Sequence, residues 1–251
     1  MSSTVYLVGA GPGAVDLLTL RASRLLGEAD IVFHDALVPE TILALAPGAE
    51  KISVGKRSGK HSTAQRFINK RLADAARKHH TVVRLKGGDP MLFGRAQEEI
   101  AYLRSHGIAV EVVPGITAAL AAAADLGVSL TQRGLARSVA FVTPRMGVGE
   151  SASTWVQTVL AADTAAIYMG AGEAAAIGQA LIAAGKSPTT PAVIIENASL
   201  AHARTVRGTL SELALLAAQL NDGPALIVLG EVLRNAASAA QPATLRKRQA
   251  R

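Results

Sequence analysis

The stretch 82–95 carries the residues best suited to hold a small ligand. Its apolar, β-branched start is typical of a buried strand, and the strand breaks at Gly87 and Gly88. Two glycines free the backbone from Cβ sterics, so the chain can turn sharply and approach a ligand closely. Asp89 adds a hydrogen-bond acceptor, and Arg95 brings positive charge where a helix begins. Because ligands of open α/β sheets bind at the carboxyl ends of strands, we expect one here, although an ordinary strand-to-helix turn fits the same residues.

A second glycine-rich loop, residues 9–14, follows the first predicted strand. It matches the pattern G-x-G-x-x-A, and Asp35 lies near the place where a dinucleotide-binding fold carries its ribose-binding acid. An NAD-dependent dehydrogenase is therefore one interpretation. Pro12 counts against it, because proline has no N–H to donate to a pyrophosphate.

Charged residues near these loops are further candidates for a role in the site. Asp35 follows a strand end, and the pair Lys56-Arg57 can receive carboxylates; both can equally be solvated loop charges. Arg95 and Glu98 lie one helical turn apart and can also pair with each other at the surface. The histidines are scattered without a metal-binding spacing, so we predict no metal site.

Alternating strands and helices place these loops at strand ends, which indicates an α/β fold. The first half predicts strands at 5–8, 31–33, 51–54, 82–86 and 108–113, and helices at 16–27 (capped by Asp16), 63–78, 96–105 and 117–125. The second half predicts strands at 138–143, 165–169, 192–196, 203–208 and 225–229, and helices at 152–161, 172–184 and 209–220. Pro114-Gly115 breaks the pattern, so we divide the chain into two α/β domains, 1–114 and 115–235, followed by a basic, flexible tail at 236–251.

Composition limits the classes of function. At 251 residues and 49% hydrophobic residues, the chain can build one large or two compact cores. Aromatic residues make up only 3%, which disfavours a base-stacking nucleic-acid surface. The absence of cysteine excludes disulfides, thiolate metal sites and a cysteine nucleophile. A net charge of +7 indicates an anionic partner.

The sequence shows neither a secretory signal nor an apolar run long enough to span a bilayer. We therefore expect a cytoplasmic protein without a membrane partner.

A set of motifs over residues 4–234 carries a resemblance to a known family. They are Val8-Gly9-Ala10-Gly11-Pro12-Gly13, Asp35, Val54-Gly55-Lys56-Arg57, Arg84-Leu85-Lys86-Gly87-Gly88-Asp89-Pro90, Phe93-Gly94-Arg95, Val113-Pro114-Gly115-Ile116-Thr117-Ala118 and Tyr168-Met169-Gly170. In this order they resemble the uroporphyrinogen-III C-methyltransferases. Single motifs are shared with other tetrapyrrole methyltransferases, whereas Gly55-Lys56-Arg57 makes the full set more specific.

The resemblance implies a fold, a cofactor and a reaction. The fold is two α/β domains with the cofactor in the cleft between them, usually in a homodimer. S-adenosylmethionine (SAM) donates the methyl group and leaves as S-adenosylhomocysteine. Uroporphyrinogen III accepts two methyl groups, at C2 and C7, to give precorrin-2, the precursor of sirohaem and cobalamin. This polyanionic tetrapyrrole gives the positive charge a partner without nucleic acid.

The resemblance also implies roles for single residues. The catalytic set contains Asp35 as proton acceptor, Lys56 as proton donor, and Arg95. The substrate-binding set adds Arg57, Glu98 and Arg145. The positions that match cofactor contacts are Pro12, Gly87, Gly88, Asp89, Leu92, Thr117, Ala118, Met169 and Ala198.

Three positions depart from the family pattern. Thr143-Pro144-Arg145 replaces a frequent Thr-Gly-His, and arginine cannot act as a base near neutral pH although it can bind a carboxylate. Gln132 stands where histidine is frequent, and Ala198 replaces a frequent glycine. Other precorrin or ribosomal-RNA methyltransferases of the same fold, and a carrier that binds the tetrapyrrole without turnover, remain alternatives.

Overall fold

The computed structural model of the protein describes residues 4–55, 65–146 and 153–234. The chain forms two compact units: the first runs to Ala121 and includes Asn197–Ala203, and the second comprises Ala122–Glu196 and the chain from Arg204 on. The units divide a few residues after the predicted boundary at 114–115, inside a helix. The predicted tail at 236–251 lies outside the described residues.

A five-stranded parallel sheet forms the centre of the first unit. Its strand order is β3-β2-β4-β1-β5, so the middle strand is β4. The elements are β1 (Thr4–Gly9), α1 (Leu20–Gly27), β2 (Ile31–His34), α2 (Glu40–Leu43), β3 (Glu50–Ser53), α3 (Gln65–Ala76), β4 (Thr81–Lys86), α4 (Ala96–Ser105), β5 (Ala109–Val113) and α5 (Ala118–Leu126), the last of which contains the division between the units.

Side chains of β4 alternate between two helical layers, because successive residues of a strand point to opposite faces. Val83 and Leu85 pack into the core formed with α1 and α2. Val82 packs into the core formed with α3 and α4. Arg84 and Lys86 share the side of Val82 by the same alternation, and both are buried. The central strand therefore carries two buried cations on the face covered by α3 and α4.

The predicted cap of the first helix at Asp16 is wrong. Val15–Leu17 forms a 3₁₀ turn, and α1 begins at Leu20. The cap is Thr19, whose Oγ1 accepts a hydrogen bond from Ala22 N at 3.1 Å. An extended threonine can satisfy a helix amide in this way. The sequence did not predict α2, which spans only one turn.

The second unit contains a mixed five-stranded sheet of order β6-β7-β10-β8-β9. Strands β6 and β7 are parallel and the other neighbours are antiparallel. The strands predicted at 192–196 and 203–208 form the antiparallel pair β8–β9. The elements are β6 (Val139–Val142), α6 (Trp155–Ala161), β7 (Thr164–Tyr168), α7 (Ala174–Ala183), β8 (Pro191–Glu196), β9 (Arg204–Thr209), α8 (Leu213–Ala217) and β10 (Ala225–Gly230).

Within the described residues, each helix is too short or too polar to cross a membrane.

Candidate active site

Three loops meet at the carboxyl edge of the first sheet, after β1, β4 and β5. Gly88 N donates to Gly11 O at 2.7 Å, and Gly11 N donates to Gly88 O at 3.2 Å. Ala10 N donates to Lys86 O at 2.7 Å. The loop after β1 is therefore joined backbone to backbone with the loop predicted to hold a ligand.

Glycine is required where these loops touch. A Cβ on Gly9 would lie 2.6 Å from the Cα of Gly115, and a Cβ on Gly115 would lie 2.2 Å from Gly88 O. No side chain fits at such distances, so the backbones approach each other only because both residues lack one. The glycines of the three motifs thus shape one continuous surface.

Asp89 ties the loop after β4 to the loop after β5. Its Oδ1 accepts a hydrogen bond from Met91 N at 2.8 Å, and its Oδ2 accepts one from Gly115 N at 2.9 Å. Both carboxylate oxygens therefore bind main-chain amides. The structure gives Asp89 a loop-fixing role in addition to the cofactor contact that the resemblance implies.

The segment 197–203 packs against the glycine loop after β1. Ser199 Oγ accepts a hydrogen bond from Ala14 N at 3.1 Å. A Cβ on Gly13 would lie 2.9 Å from a methyl carbon of Leu200. Ala198, between these contacts in sequence, is buried. This predicted cofactor residue therefore lies beside the glycine loop that carries Pro12, although the two residues are far apart in sequence.

The glycine loop lacks the geometry of a dinucleotide site. The amides of Ala10 and Gly11 already donate to main-chain carbonyls, Ala14 donates to Ser199, and Pro12 has no N–H. A 3₁₀ turn follows the loop, and α1 begins only after it, so no α-helix presents its amino end to a pyrophosphate there. Both observations argue against the NAD interpretation.

The first unit brings most of the predicted cofactor residues to one edge. Thr117 is buried just before α5, and Ala118 is the first residue of that helix. Leu92 lies half-buried in the loop after β4, where its amide donates to Asp89 O at 3.3 Å. The set on this edge comprises Pro12, Gly87, Gly88, Asp89, Leu92, Thr117, Ala118 and Ala198.

Two predicted site residues belong to the second unit. Met169 follows β7 directly and is 45% exposed, and Arg145 follows β6 and is exposed. Because β6 and β7 are parallel neighbours, both residues lie at the carboxyl edge of the second sheet. Their predicted contacts with cofactor and substrate remain predictions.

Backbone strain concentrates at these loops. The described residues other than glycine with positive φ are Phe93 (53°), Arg95 (55°), Met169 (56°), Asn197 (54°) and Ser199 (72°). The Cβ of residues other than glycine disfavours this conformation. It persists where the surrounding structure enforces it, and such residues cluster at functional sites. Two of the five, Arg95 and Met169, are residues that the sequence predicted for the site.

Arg95 and Glu98 form the surface pair that their spacing allowed. Arg95 Nε donates to Glu98 Oε1 at 2.7 Å and Nη2 donates to Oε2 at 2.8 Å. The two side chains are 58% and 52% exposed. The hydrogen bond from Arg95 lowers the pKa of Glu98 below its ordinary value. This two-pronged geometry is the one in which arginine also binds the carboxylate of a ligand.

Asp35 is held by a buried arginine. Its amide donates to Leu85 O at 3.2 Å, which fixes the backbone of Asp35 beside β4. Arg84 Nη2 donates to Asp35 Oδ1 at 2.5 Å. The Arg84 side chain is 3% exposed, whereas that of Asp35 is 27% exposed. Asp35 is thus anchored on its buried side and accessible on the other.

A fully buried carboxylate binds the other side of the arginine. Glu99 on α4 accepts from Arg84 Nε at 3.1 Å and from Lys86 Nζ at 3.1 Å. Gln65 Nε2 donates to the same carboxylate at 3.0 Å. Arg84, Lys86, Asp35 and Glu99 together carry two positive and two negative charges. We refer to these four residues as the buried charge cluster.

Burial and charge act in opposite directions on the two cations of this cluster. Burial alone would lower the pKa of Arg84, but the charges of Asp35 and Glu99 raise it above its ordinary value. Burial lowers the pKa of Lys86, and the neighbouring positive charge of Arg84 lowers it further against the attraction of Glu99. Arg84 therefore keeps its positive charge despite its burial.

Sequence motifs and spacing predicted no role for Arg84, Lys86 or Glu99. A signal was present, because Arg84 and Lys86 are charged residues two apart in an otherwise apolar strand. Such spacing places both on one face of a buried strand, where each needs an anionic partner. The partner Glu99 lies on another element, next to Glu98, whose spacing from Arg95 predicts a different pair.

Lys56 and Arg57 lie outside the described residues, so their predicted roles remain predictions. The preceding residue, Gly55, is described. A Cβ there would lie 2.0 Å from Ala36 N and 2.9 Å from Asp35 Cα. The Gly55-Lys56-Arg57 motif therefore starts where the chain passes directly against the backbone of Asp35.

Among the described residues, no three His, Cys, Asp or Glu side chains lie where they could hold a metal ion together. The prediction of a site without metal stays a prediction.

A family model decides the relationship of this chain to known proteins. The model for tetrapyrrole (corrin/porphyrin) methylases matches residues 4–214. The chain belongs to this family. It is also 45% identical, over 98% of its own length and 99% of the other, to the uroporphyrinogen-III C-methyltransferase of Pseudomonas aeruginosa.

Other relatives of this tetrapyrrole methylase are longer. It is 47% identical to the sirohaem synthase of Chromobacterium violaceum over 92% of its own length but 50% of the other protein, so it spans about half of such relatives. Among solved structures, the uroporphyrin-III C-methyltransferase of Thermus thermophilus complexed with S-adenosylhomocysteine is 44% identical. The match has a TM-score of 0.82 and covers 92% of this chain and 99% of that one. The fold predicted from the sequence is thereby confirmed.

Proposed function

We propose that this tetrapyrrole methylase transfers methyl groups from SAM to C2 and C7 of uroporphyrinogen III, giving precorrin-2. The observation that carries the proposal is the 45% identity to the Pseudomonas aeruginosa enzyme across nearly the full length of both chains. The buried charge cluster and the exposed arginine at the edge of the first sheet supply groups that suit this chemistry.

The loops after β1, β4 and β5 of the first unit support SAM as cofactor. When bound, SAM supplies an electrophilic methyl group on a sulfonium. The structural neighbour from Thermus thermophilus was solved with the product of such a transfer, S-adenosylhomocysteine. The predicted contacts from Gly87, Gly88, Thr117 and Ala118 lie on loops that close backbone packing holds in place. Rigid loops of this kind can orient a methyl donor, which contributes to catalysis by positioning.

The substrate side requires cations and a proton acceptor. Uroporphyrinogen III carries many carboxylates, and the planar guanidinium of Arg95 can bind one in place of Glu98. Removal of a pyrrole N–H proton makes the ring carbon a better nucleophile, and Asp35 offers an accessible carboxylate for it. Lys56 as proton donor, Arg57 and Arg145 as further carboxylate partners, and a homodimeric assembly belong to the same proposal.

An anaerobic assay tests the proposed function. Purified protein is incubated with SAM and uroporphyrinogen III, and mass spectrometry follows the tetrapyrrole. We expect the addition of two methyl groups. No methyl addition would refute the proposal, and activity on a precorrin or on ribosomal RNA alone would favour another methyltransferase of the fold. Tight binding of both ligands without product would indicate a carrier.

Calorimetry tests the choice of cofactor independently. We expect SAM and S-adenosylhomocysteine to bind and NAD to give no heat of binding, because the glycine loop offers too few main-chain donors for a pyrophosphate. Binding of NAD in preference to SAM would contradict the cofactor assignment.

A further inference from the structure

The buried charge cluster contains more than the catalytic roles account for. Asp35 alone would serve as a proton acceptor, yet three further charged side chains are buried behind it. Buried charges are costly, and a hydrophobic replacement of a buried ion pair is often as stable. Arg84 and Lys86 occupy the middle strand of the sheet, where apolar residues would pack well. Their presence therefore calls for a use beyond stability.

We infer that Arg84 is a positioning residue for Asp35, and that Glu99 holds Arg84 in the required place. The inference rests on the proposed function, because it assigns Asp35 the role of proton acceptor. Arg84 belongs to one of the family motifs, but neither it nor Glu99 is among the positions that match contacts with cofactor or substrate.

The hydrogen bonds of the Arg84 guanidinium support this assignment. Arg84 binds Asp35 through Nη2 and Glu99 through Nε, so one guanidinium bridges the two carboxylates. Arg84 Nη1 also donates to Leu85 O at 3.2 Å. Because its donors are directed to Asp35, Glu99 and the main-chain carbonyls of Phe33 and Leu85, the guanidinium has one orientation. Asp35 Oδ1 is consequently held at one point.

The second oxygen of Asp35 has different surroundings from the first. Among the described residues, none donates a hydrogen bond to Oδ2 of Asp35, and the side chain is 27% exposed. Fixing one oxygen of a partly exposed carboxylate holds the group in one orientation from which it can accept a proton from an incoming ligand. An unanchored aspartate would rotate about its side-chain bonds and lose that orientation.

Glu99 determines whether Arg84 can play this part. Its carboxylate is 0% exposed and accepts from Arg84, Lys86 and Gln65. Glu99 lies on α4, one position after Glu98, and Lys86 is the last residue before the loop Gly87-Gly88-Asp89. Through Glu99, the orientation of Asp35 is tied to the start of the ligand-binding loop and to the helix that follows it.

The primary test replaces Arg84 with lysine. The variant R84K keeps the charge but cannot bridge Asp35 and Glu99 with one planar group. We expect kcat for uroporphyrinogen III to fall by about tenfold to a hundredfold, while KM and the SAM dissociation constant change by less than about twofold. The matched control is R77K, because Arg77, the residue after α3, forms an exposed pair with Asp74 at 3.0 Å; we expect its kcat to equal that of the wild type.

A double-variant cycle separates positioning from support of the fold. In an Asp35→Asn background, R84K should cause no further loss of kcat, because the residue that Arg84 positions is no longer a proton acceptor. An equal fractional loss in both backgrounds, or an R84K enzyme with the wild-type kcat, would overturn the inference. The milder Glu99→Asp, which withdraws the carboxylate by one methylene, should show the same pattern if R84K does not fold.

A measurement without turnover distinguishes this inference from the proposed function. Urea unfolding of the wild type, Asp35→Asn, Glu99→Asp and the double variant gives the coupling between the two carboxylates. We expect the unfolding equilibrium constants to depart from additivity by roughly fivefold, because both carboxylates bind one guanidinium. Additive values would overturn the link through Arg84 even in an active enzyme. If the variants show this coupling but the wild type does not methylate uroporphyrinogen III, the proposed function alone would be refuted.

Discussion

Two adjacent glutamates on α4 are used in opposite ways. Glu98 pairs with Arg95 in the solvent, with side chains 52% and 58% exposed. Glu99 pairs with Arg84 in the interior, with side chains 0% and 3% exposed. Two consecutive positions of the helix thus carry an exposed ion pair, in which a ligand carboxylate can replace the glutamate, and an ion pair that is buried from solvent. The exposed pair suits exchange with a substrate carboxylate, and the buried pair suits the fixing of a catalytic group.

Removal of the buried carboxylate should have the largest effect. Glu99→Gln leaves Arg84 and Lys86 without their shared counter-charge in the interior. We expect a loss of about 3–5 kcal/mol in the free energy of unfolding, measured by urea denaturation. Glu111→Gln is the control, because Glu111 pairs with Arg21 at the surface, and we expect it to change the value by less than about 0.5 kcal/mol. Equal losses in the two variants would contradict the distinction between buried and exposed pairs.

Removal of the exposed arginine should affect substrate binding and leave the fold intact. Arg95→Ala deletes a guanidinium that we propose binds a substrate carboxylate, so KM for uroporphyrinogen III should rise by about tenfold or more. The unfolding free energy should stay within about 0.5 kcal/mol of the wild type.

A matched pair in the second unit provides the control for that experiment. Arg234 donates to Glu231 at 2.6 and 2.8 Å with the same two-pronged geometry and similar exposure, and nothing in the sequence places it in the site. We expect Arg234→Ala to leave KM unchanged. A similar rise in KM for both variants would show a general loss of positive charge and not a specific contact.

The smallest effect should be the pH dependence of the exposed pair. Arg95 lowers the pKa of Glu98 in the folded protein. A carboxyl group with a lowered folded pKa stabilises the fold above its unfolded pKa, and that contribution is lost as the pH falls through the folded pKa. Because solvent screens the pair, we expect less than about 1 kcal/mol. The free energy of unfolding, measured from neutral to acid pH, should show this loss in the wild type and not in Glu98→Gln. A larger loss on acidification in the variant than in the wild type would contradict the sign.

The sequence predicted what depends on local pattern. Apolar β-branched runs predicted most strands of both sheets, and the spacing of Arg95 and Glu98 predicted the surface pair. Family motifs gave the loops whose glycines pack against each other. The cap of α1 was wrong because Asp16 and Thr19 are both good caps, and only the chain geometry chooses between them.

The buried charge cluster could not be predicted in the same way. Its contacts join residues 15 and 49 positions apart, from Arg84 to Glu99 and to Asp35. No local periodicity records such contacts, since they arise where β2, β4 and α4 meet in the fold. A charged residue in a central strand predicts that an oppositely charged partner exists, but it does not predict which residue that partner is.

The most direct test of the proposed function locates the transferred carbons. Uroporphyrinogen III is methylated anaerobically with SAM carrying a ¹³C-labelled methyl group, and NMR spectroscopy of the product identifies the labelled positions. Our account predicts two labelled methyl carbons, attached at C2 and C7. An unlabelled tetrapyrrole, or label at other ring positions, would contradict it.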